Sequence, residues 1–568
     1  MKLLKFFLLV TFFSGCYAAL SDSESDENAH DEFRMELEQA FAANEISSTR
    51  MKRFVQKAKK CKVKTLSGLA KAAKSSKKNL KRNLMRSITR KKMWVPLFWA
   101  KVPLADGKEH LMPFMLPHII LHKLAQDSSS LDPLKPQVND AAYARIQAVA
   151  KELQDNPADF ISVGLHCDGT PLGRSDRDSM EVFSINFPSW RDQHMLRIPV
   201  AIINKKHIDK MKTIPRILEI LAWSFKCLAV GEVYDFEGIG GTKAVPIGTK
   251  LPKALLTQLR ADWACLKQVF GLPQQNENAG ICHLCKATPD TMQEVGADAV
   301  WRSQRYEANE FHKMQQDRGI KPCPLWSVPG IDVSIIHLDW LHACDLGIGA
   351  DICGNIFKAV MPFLEGSNKE KRIQSLWREI KQWYSANMVE SKIDKLCASH
   401  FLKEKKSPKL SAKAASIRQL IPFLQYITEK LFQNTDDRVT EYHRTVLHLA
   451  RSLNEAYALL HDWDAEKMAR SCRRTCLLLR SLRDHAVSKK PDSLDWKMKP
   501  KVHIFQELCE YVAPIKGNPK DYWYYKDEDF GGYLQKLGSR LGGPNTAKSI
   551  AVNVFQKFCI LNRMPIAV

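Results

Sequence analysis

The sequence predicts a mixed α/β protein, mostly helical overall, with a mixed-sheet core interrupted by a large all-α insertion. Three observations carry this. Strand-like apolar runs fall close together at 160–167, 180–187 and 196–203. A fourth such run, beginning at Ala254, ends at Asp262 after an amphipathic segment at about 212–230. From about 341 to 490 the apolar residues shift to helical spacing, as in Leu420, Phe423, Leu424, Ile427 and Leu431, and again in Leu447, Leu449, Leu453, Ala456 and Leu460.

In chain order, Met1–Ala19 places a basic start before a short apolar run and small residues, the pattern of a secretory signal. Residues 21–39 are acidic and Ser-rich, the composition of a disordered segment. The charge then reverses: 18 Lys or Arg lie between Arg50 and Lys92, and no acid occurs between Glu45 and Asp106. This stretch, a basic arm within 21–92, reads either as a phosphate-binding arm or as a solvated tail or localisation signal. Trp94–Trp99 and Met112–Pro117 predict proline-broken helices in a helical lead-in at 93–155, with a regular helix at 138–153. The first part of the core is expected at 156–290, the helical insertion at 291–495 and the remainder of the core at 496–568.

Three strands, a helix and another strand form the opening of a ribonuclease H-like fold. Asp168 follows the first strand-like run in Cys167-Asp168-Gly169-Thr170, and Asp262 ends the fourth. Glu528 stands in the acidic triplet Asp527-Glu528-Asp529. Two strand-borne Asp and a late Glu are what a two-metal nuclease site requires. Each also has a structural reading: Asp168 as a hairpin residue in Asp-Gly, Asp262 as the N-cap of a helix from Trp263, and Glu528 as part of a solvated loop. The intervals are 94 residues between the two Asp and 266 from Asp262 to Glu528, and the helical block fills the second.

The 568 residues carry a formal net charge of +23, which favours a polyanionic partner, nucleic acid or an anionic membrane surface. No apolar run after the leader approaches the ~20 residues of a membrane span. The fifteen cysteines form no regular framework and read mostly as reduced and buried. Cys282-His283-Leu284-Cys285 is half of a tetrahedral zinc site. No Gly-x-Ser-x-Gly, His-Glu-x-x-His or P-loop motif is present, and the glycine-rich stretch 238–243 lacks P-loop spacing.

Four segments in order resemble the DDE transposases with a helical insertion, the CACTA and Plavaka group, with hAT elements and the V(D)J recombinase as more distant relatives. They are Cys-Asp-Gly-Thr at Asp168, Leu-Arg-Ala-Asp-Trp at Asp262, His337-Leu338-Asp339-Trp340-Leu341-His342, and Lys499–His503 followed by Tyr524–Phe530. The resemblance covers roughly 94–565. It implies DNA as partner, a homo-oligomer, a nuclear location at odds with the leader, and DNA cleavage and strand transfer. It implies two Mg²⁺ or Mn²⁺ ions, with Asp168 bridging them and Asp262 and Glu528 holding one each. In the relatives a Cys pair joins late histidines around one zinc, which here implies Cys282, Cys285 and His503, with Cys509 a guess for the fourth ligand. Asp339 and His342 match an Asp-x-x-His signature, read either as positioning the scissile phosphate or as a local hydrogen bond. A domesticated, catalytically inactive DNA-binding descendant and a secreted basic protein are the alternatives.

Overall fold

The structure is a computed structural model. It describes residues 34–562 except 44, 61–66, 77–78, 90–92, 129, 139, 173–177, 191–195, 237–240, 243–244, 273–279, 308–309, 434–436 and 539–545. The leader at 1–20 therefore lies outside the described residues, as does most of the glycine-rich stretch 238–243.

The N-terminal region is helical where described: α1 (residues 34–42), then in the basic arm α2 (Ser48–Lys60), α3 (Ser67–Ala73) and α4 (Leu80–Thr89). Disorder expected over 21–39 is thus corrected from residue 34 onward. The sparse apolar residues suffice for a small core, because Leu37, Met51, Val55, Leu69, Leu84 and Ile88 are buried together and close on Ile560.

The lead-in is also corrected. A hairpin of β1 (Phe98–Pro103) and β2 (Glu109–Phe114) replaces the expected helices. Pro113 is tolerated because β2 is the edge strand of the order β2-β1-β6, where β6 is Gly241–Thr242. Two helices follow, α5 (Pro117–Asp127) and α6 (Ala141–Leu153).

The four expected strands form one sheet: β3 (Ile161–Pro171), β4 (Ser179–Asn186), β5 (Arg197–Asn204) and β7 (Ala254–Ala261). Its order is β5-β4-β3-β7, with β3, β4 and β5 antiparallel in succession and β7 parallel to β3. The parallel step needs a crossover, which contains α7 (Thr213–Val230). Gly231 ends α7 in the left-handed conformation at φ 79°. Near-continuous burial along these strands fits a sheet covered on both faces.

Beyond β7 come α8 (Trp263–Phe270), irregular chain around the short α9 (Glu310–Asp317), and a π-helical stretch, Leu341–Gly349. The helical block is α10 (Ala350–Val360), α11 (Lys369–Ala386), α12 (Ala414–Phe432), α13 (Glu441–Ala458) and α14 (Ala465–Lys489). The apolar stripes of α12 and α13 face one core, which also takes Trp340, Val502, Phe505 and Leu508. Trp340 is therefore packing, edge-on to Tyr457 and Phe505. The chain ends with α15 (Pro500–Gln506), a π-helical turn Glu507–Val512, α16 (Tyr525–Gly538) and α17 (Ala547–Leu561). Both α16 and α17 return to the sheet core through Leu534, Leu537, Ile550 and Val554.

Candidate active site and metal centre

Asp168 lies within β3, opposite Val182 of β4, so it is a strand residue and not a turn residue. Asp262 follows the last residue of β7, which runs beside Cys167 in the parallel register Cys167↔Ala261. The two acids therefore emerge at the same end of neighbouring strands. Asp262 is also the N-cap of α8, its Oδ1 accepting the Cys265 N–H at 2.7 Å. The structural reading of this residue is thus met, and it leaves the second carboxylate oxygen without a role in the cap.

Glu528 sits in the first turn of α16, not in a loop. Burial pushes the Asp168 carboxyl up to about 7, and the charges of Asp262, Glu528 and Glu181 add to the push. Burial likewise raises Glu528, with Asp339, Asp262 and Asp529 adding to it and His342 opposing. Three acids from β3, the end of β7 and α16 thus share one electrostatic neighbourhood.

Asp339 and His342 join them. Asp339 is buried and accepts from the N–H groups of Leu341, His342 and Tyr524 at 3.0, 2.9 and 3.0 Å. His342 Nδ1 lies 2.6 Å from Asp339, and its Nε2 lies 3.5 Å from Glu528. Burial works against the charged imidazole, but Asp339 and then Glu528 prevail and raise its pKa. The local hydrogen-bond reading of this pair is met, and the bond aims the ring at Glu528.

The residue that the acidic triplet buries is Asp527. It lies between two guanidiniums, 2.6 Å from Arg197 of β5 and 2.5 Å from Arg260 of β7. Tyr524 adds a second tie, its hydroxyl accepting from Ala261 N–H at 3.0 Å and donating to His337 carbonyl at 2.7 Å. Nothing in the triplet itself distinguishes Asp527 from Glu528; the register of α16 against the sheet does.

Cys282, Cys285 and His503 also meet. With Glu507 they are all buried, and their ligating atoms lie within 4.8 Å of one another. Cys285 Sγ is 3.3 Å from His503 Nε2, which is 3.5 Å from Glu507 Oε1. The fourth member is Glu507, not Cys509, which is buried instead beside Cys472. Glu507 stands four residues after His503, one helical turn, so the two share a helix face and a carboxylate takes the fourth place. Burial opposes ionisation of Cys282, yet the Cys285 thiol and His503 draw it well below an ordinary thiol. Arg305 pairs with Glu507 at 2.7 Å from outside the cluster, and the Leu284 N–H donates to Cys282 Sγ at 3.3 Å. Soft sulfur donors with one imidazole and one carboxylate, all facing inward, are a donor set that fits zinc.

Among the described residues only this group and one further group have three or more ligating atoms within 4.8 Å. Asp168, Asp262 and Glu528 are not among these groups. No helix among the described residues is long and apolar enough to cross a membrane. Compared with known proteins, the chain matches no family model and no curated protein.

Proposed function

We propose that the chain is a transposase-type nuclease with a ribonuclease H-like core, cleaving and joining DNA at Asp168, Asp262 and Glu528. The observation that carries this is the shared electrostatic neighbourhood of three carboxylates separated by 94 and 266 residues. The strand order supports it: an antiparallel trio joined to a parallel strand, the first acid on an interior strand and the second just past its parallel neighbour.

The donor set fits hard divalent cations. Burial, with the charges of Asp262 and Glu528 added, pushes Asp168 up to about 7, a cost that a cation relieves and a neutral ligand does not. Asp168, Asp262 and Glu528 would hold two Mg²⁺ or Mn²⁺. Such ions supply an activated water or hydroxyl and a stabilised leaving oxygen.

The chain's own residues position these acids. Asp527, locked to Arg197 and Arg260, fixes the turn of α16 that presents Glu528. Asp339 orients His342, and His342 holds Glu528 by its Nε2. Cys282, Cys285, His503 and Glu507 would hold one structural zinc, tying the segment after α8 to α15. The net charge of +23 and the acid-free helices α2 to α4 suit a DNA backbone. A nuclear location and a multimeric active form belong to the same reading.

The test is Mg²⁺-dependent nicking of supercoiled plasmid and transfer of cut ends. Asp168→Ala is expected to lower both by at least ~100-fold, the scale at which loss of one charge-stabilising group acts. Metal-dependent cutting that survives Asp168→Ala refutes the site. Metal-dependent DNA binding with no cutting by the unaltered chain favours the inactive, DNA-binding descendant.

A further inference from the structure

A second cluster of soft donors lies outside both sites above. Cys167 on β3, Glu181 on β4 and Cys265 in the first turn of α8 are all buried, their ligating atoms within 4.8 Å of one another. Cys167 Sγ lies 3.4 Å from Glu181 Oε1. The other carboxylate oxygen, Oε2, pairs with Lys205 at 3.2 Å. Side chains alternate along a strand, so Cys167 leaves β3 on the face opposite Asp168 and on the same face as Gly169 and, across the pair, Glu181. Gly169 keeps that face open for Lys205, because a Cβ there would run into the ammonium group.

We propose that Cys167, Cys265 and Glu181 form a second site for a thiophilic divalent cation of the Zn²⁺ class, behind the platform that carries Asp168 and Asp262. Tetrahedral zinc with Zn–S near 2.3 Å and Zn–O near 2.1 Å sets its ligand atoms roughly 3.5–3.8 Å apart, a spacing within the limits of this cluster. The charges also balance. Two thiolates and a carboxylate against one divalent ion leave a single negative charge, and Lys205 cancels it. Each thiol gives up its proton on ligation, so binding releases two protons. A solvent molecule on the Lys205 side, where the chain is partly exposed, takes the fourth position. The bound ion would tie β3, β4 and the start of α8 together, the three elements that set the distance between Asp168 and Asp262.

Cobalt titration of the chelator-treated full chain tests this, read by thiolate-to-cobalt charge transfer, with circular dichroism confirming the fold of each variant. The unaltered chain should take two thiolate-bound cobalt ions and the Cys282→Ser, Cys285→Ser variant one. Adding Cys167→Ser and Cys265→Ser should abolish the remaining band. Glu181→Gln on the Cys282→Ser, Cys285→Ser background should weaken that last ion by at least ~10-fold. A folded Cys282→Ser, Cys285→Ser chain without a thiolate band overturns the proposal, as does a band that persists after Cys167 and Cys265 are also replaced. Should the cysteine variants not fold, cadmium NMR of the unaltered chain decides. Two thiolate-range resonances sustain the site, and one overturns it. None of these readouts depends on DNA cleavage.

Discussion

Asp168 carries a cost that its own chain does not relieve. Its carboxyl, pushed up to about 7 by burial and by neighbouring acids, binds a proton more tightly in the folded chain than in the unfolded one, where the ordinary value is 3.8. The sign follows from proton linkage. Folded-state stability falls as pH rises between those two values, and the full cost stands above the higher one. That cost is at most ~4 kcal/mol at about 1.4 kcal/mol per pKa unit. Asp168→Asn should therefore raise the melting temperature of the metal-free chain by a few degrees near pH 8, with no gain near pH 4. A destabilised Asn variant at every pH would mark the carboxylate as a satisfied structural group. Asp527 behaves in the opposite way. Burial works against its charge, but Arg260, His166 and Arg197 hold it down at about 2. Its contribution is present above the ordinary carboxylate range and is lost as pH falls toward 2. Removing one partner of a buried ion pair costs ~3–5 kcal/mol. Asp527→Ala should lose about that much in urea unfolding, while Glu528→Gln, half-exposed one residue on, should lose little. The sequence shows both acids side by side and cannot say which faces inward, because that choice belongs to the packing of α16 against β5 and β7.

Helix α8 begins on a residue with one observed role, the cap, and one proposed role, holding a cation, and the substitutions at Asp262 separate them. Asn keeps a side-chain oxygen for the Cys265 N–H but loses the charge a cation needs; Ala loses both. Asp262→Asn should keep its stability and lose metal-dependent cleavage. Asp262→Ala should lose cleavage and also ~0.5–2 kcal/mol of stability. Equal cleavage in Asn and the unaltered chain, measured by plasmid nicking, would reduce Asp262 to a cap. The strands of the larger sheet were legible because β3, β4, β5 and β7 are continuous apolar runs, and α12 and α13 because their stripes follow the helical period. The β1–β2 hairpin was not. Pro113 argues against a strand unless β2 is known to be a sheet edge, and edge position is a tertiary fact; Pro103 is the last residue of β1, beyond its pairing with β6. Glu507 was hidden for a related reason. His503 and the carboxylate one turn later share a helix face, but structural zinc sites are mostly built of thiolate and imidazole, which points to Cys509 before Glu507.

At the scale of the whole molecule, two distant stretches are brought to each centre. The segment after α8 supplies Cys282 and Cys285, and the α15 region supplies His503 and Glu507. The sheet supplies Asp168 and Asp262, and α16 supplies Glu528. The helical block lies between those stretches in sequence, and its core is shared with α15, so the late segment reaches the sheet already braced. The basic N-terminal helices add a surface of one sign. Helix α2 turns Met51, Val55 and Ala58 inward, which leaves Arg53 and Lys57 exposed and Lys52 half-exposed. If these three side chains neutralise phosphates, each contributes about −0.9 to the slope of log affinity against log salt on duplex DNA. Replacing Lys52, Arg53 and Lys57 with Gln should then flatten that slope by ~2–3, equally for unrelated duplex sequences, while the unfolding midpoint stays put. The measurement is fluorescence anisotropy of labelled duplexes across a salt series. An unchanged slope would show that α2 meets no phosphate. A loss confined to one sequence would show base contact instead, made by hydrogen bonds to base edges and not by stacking, since no aromatic residue follows Phe54 in the basic run.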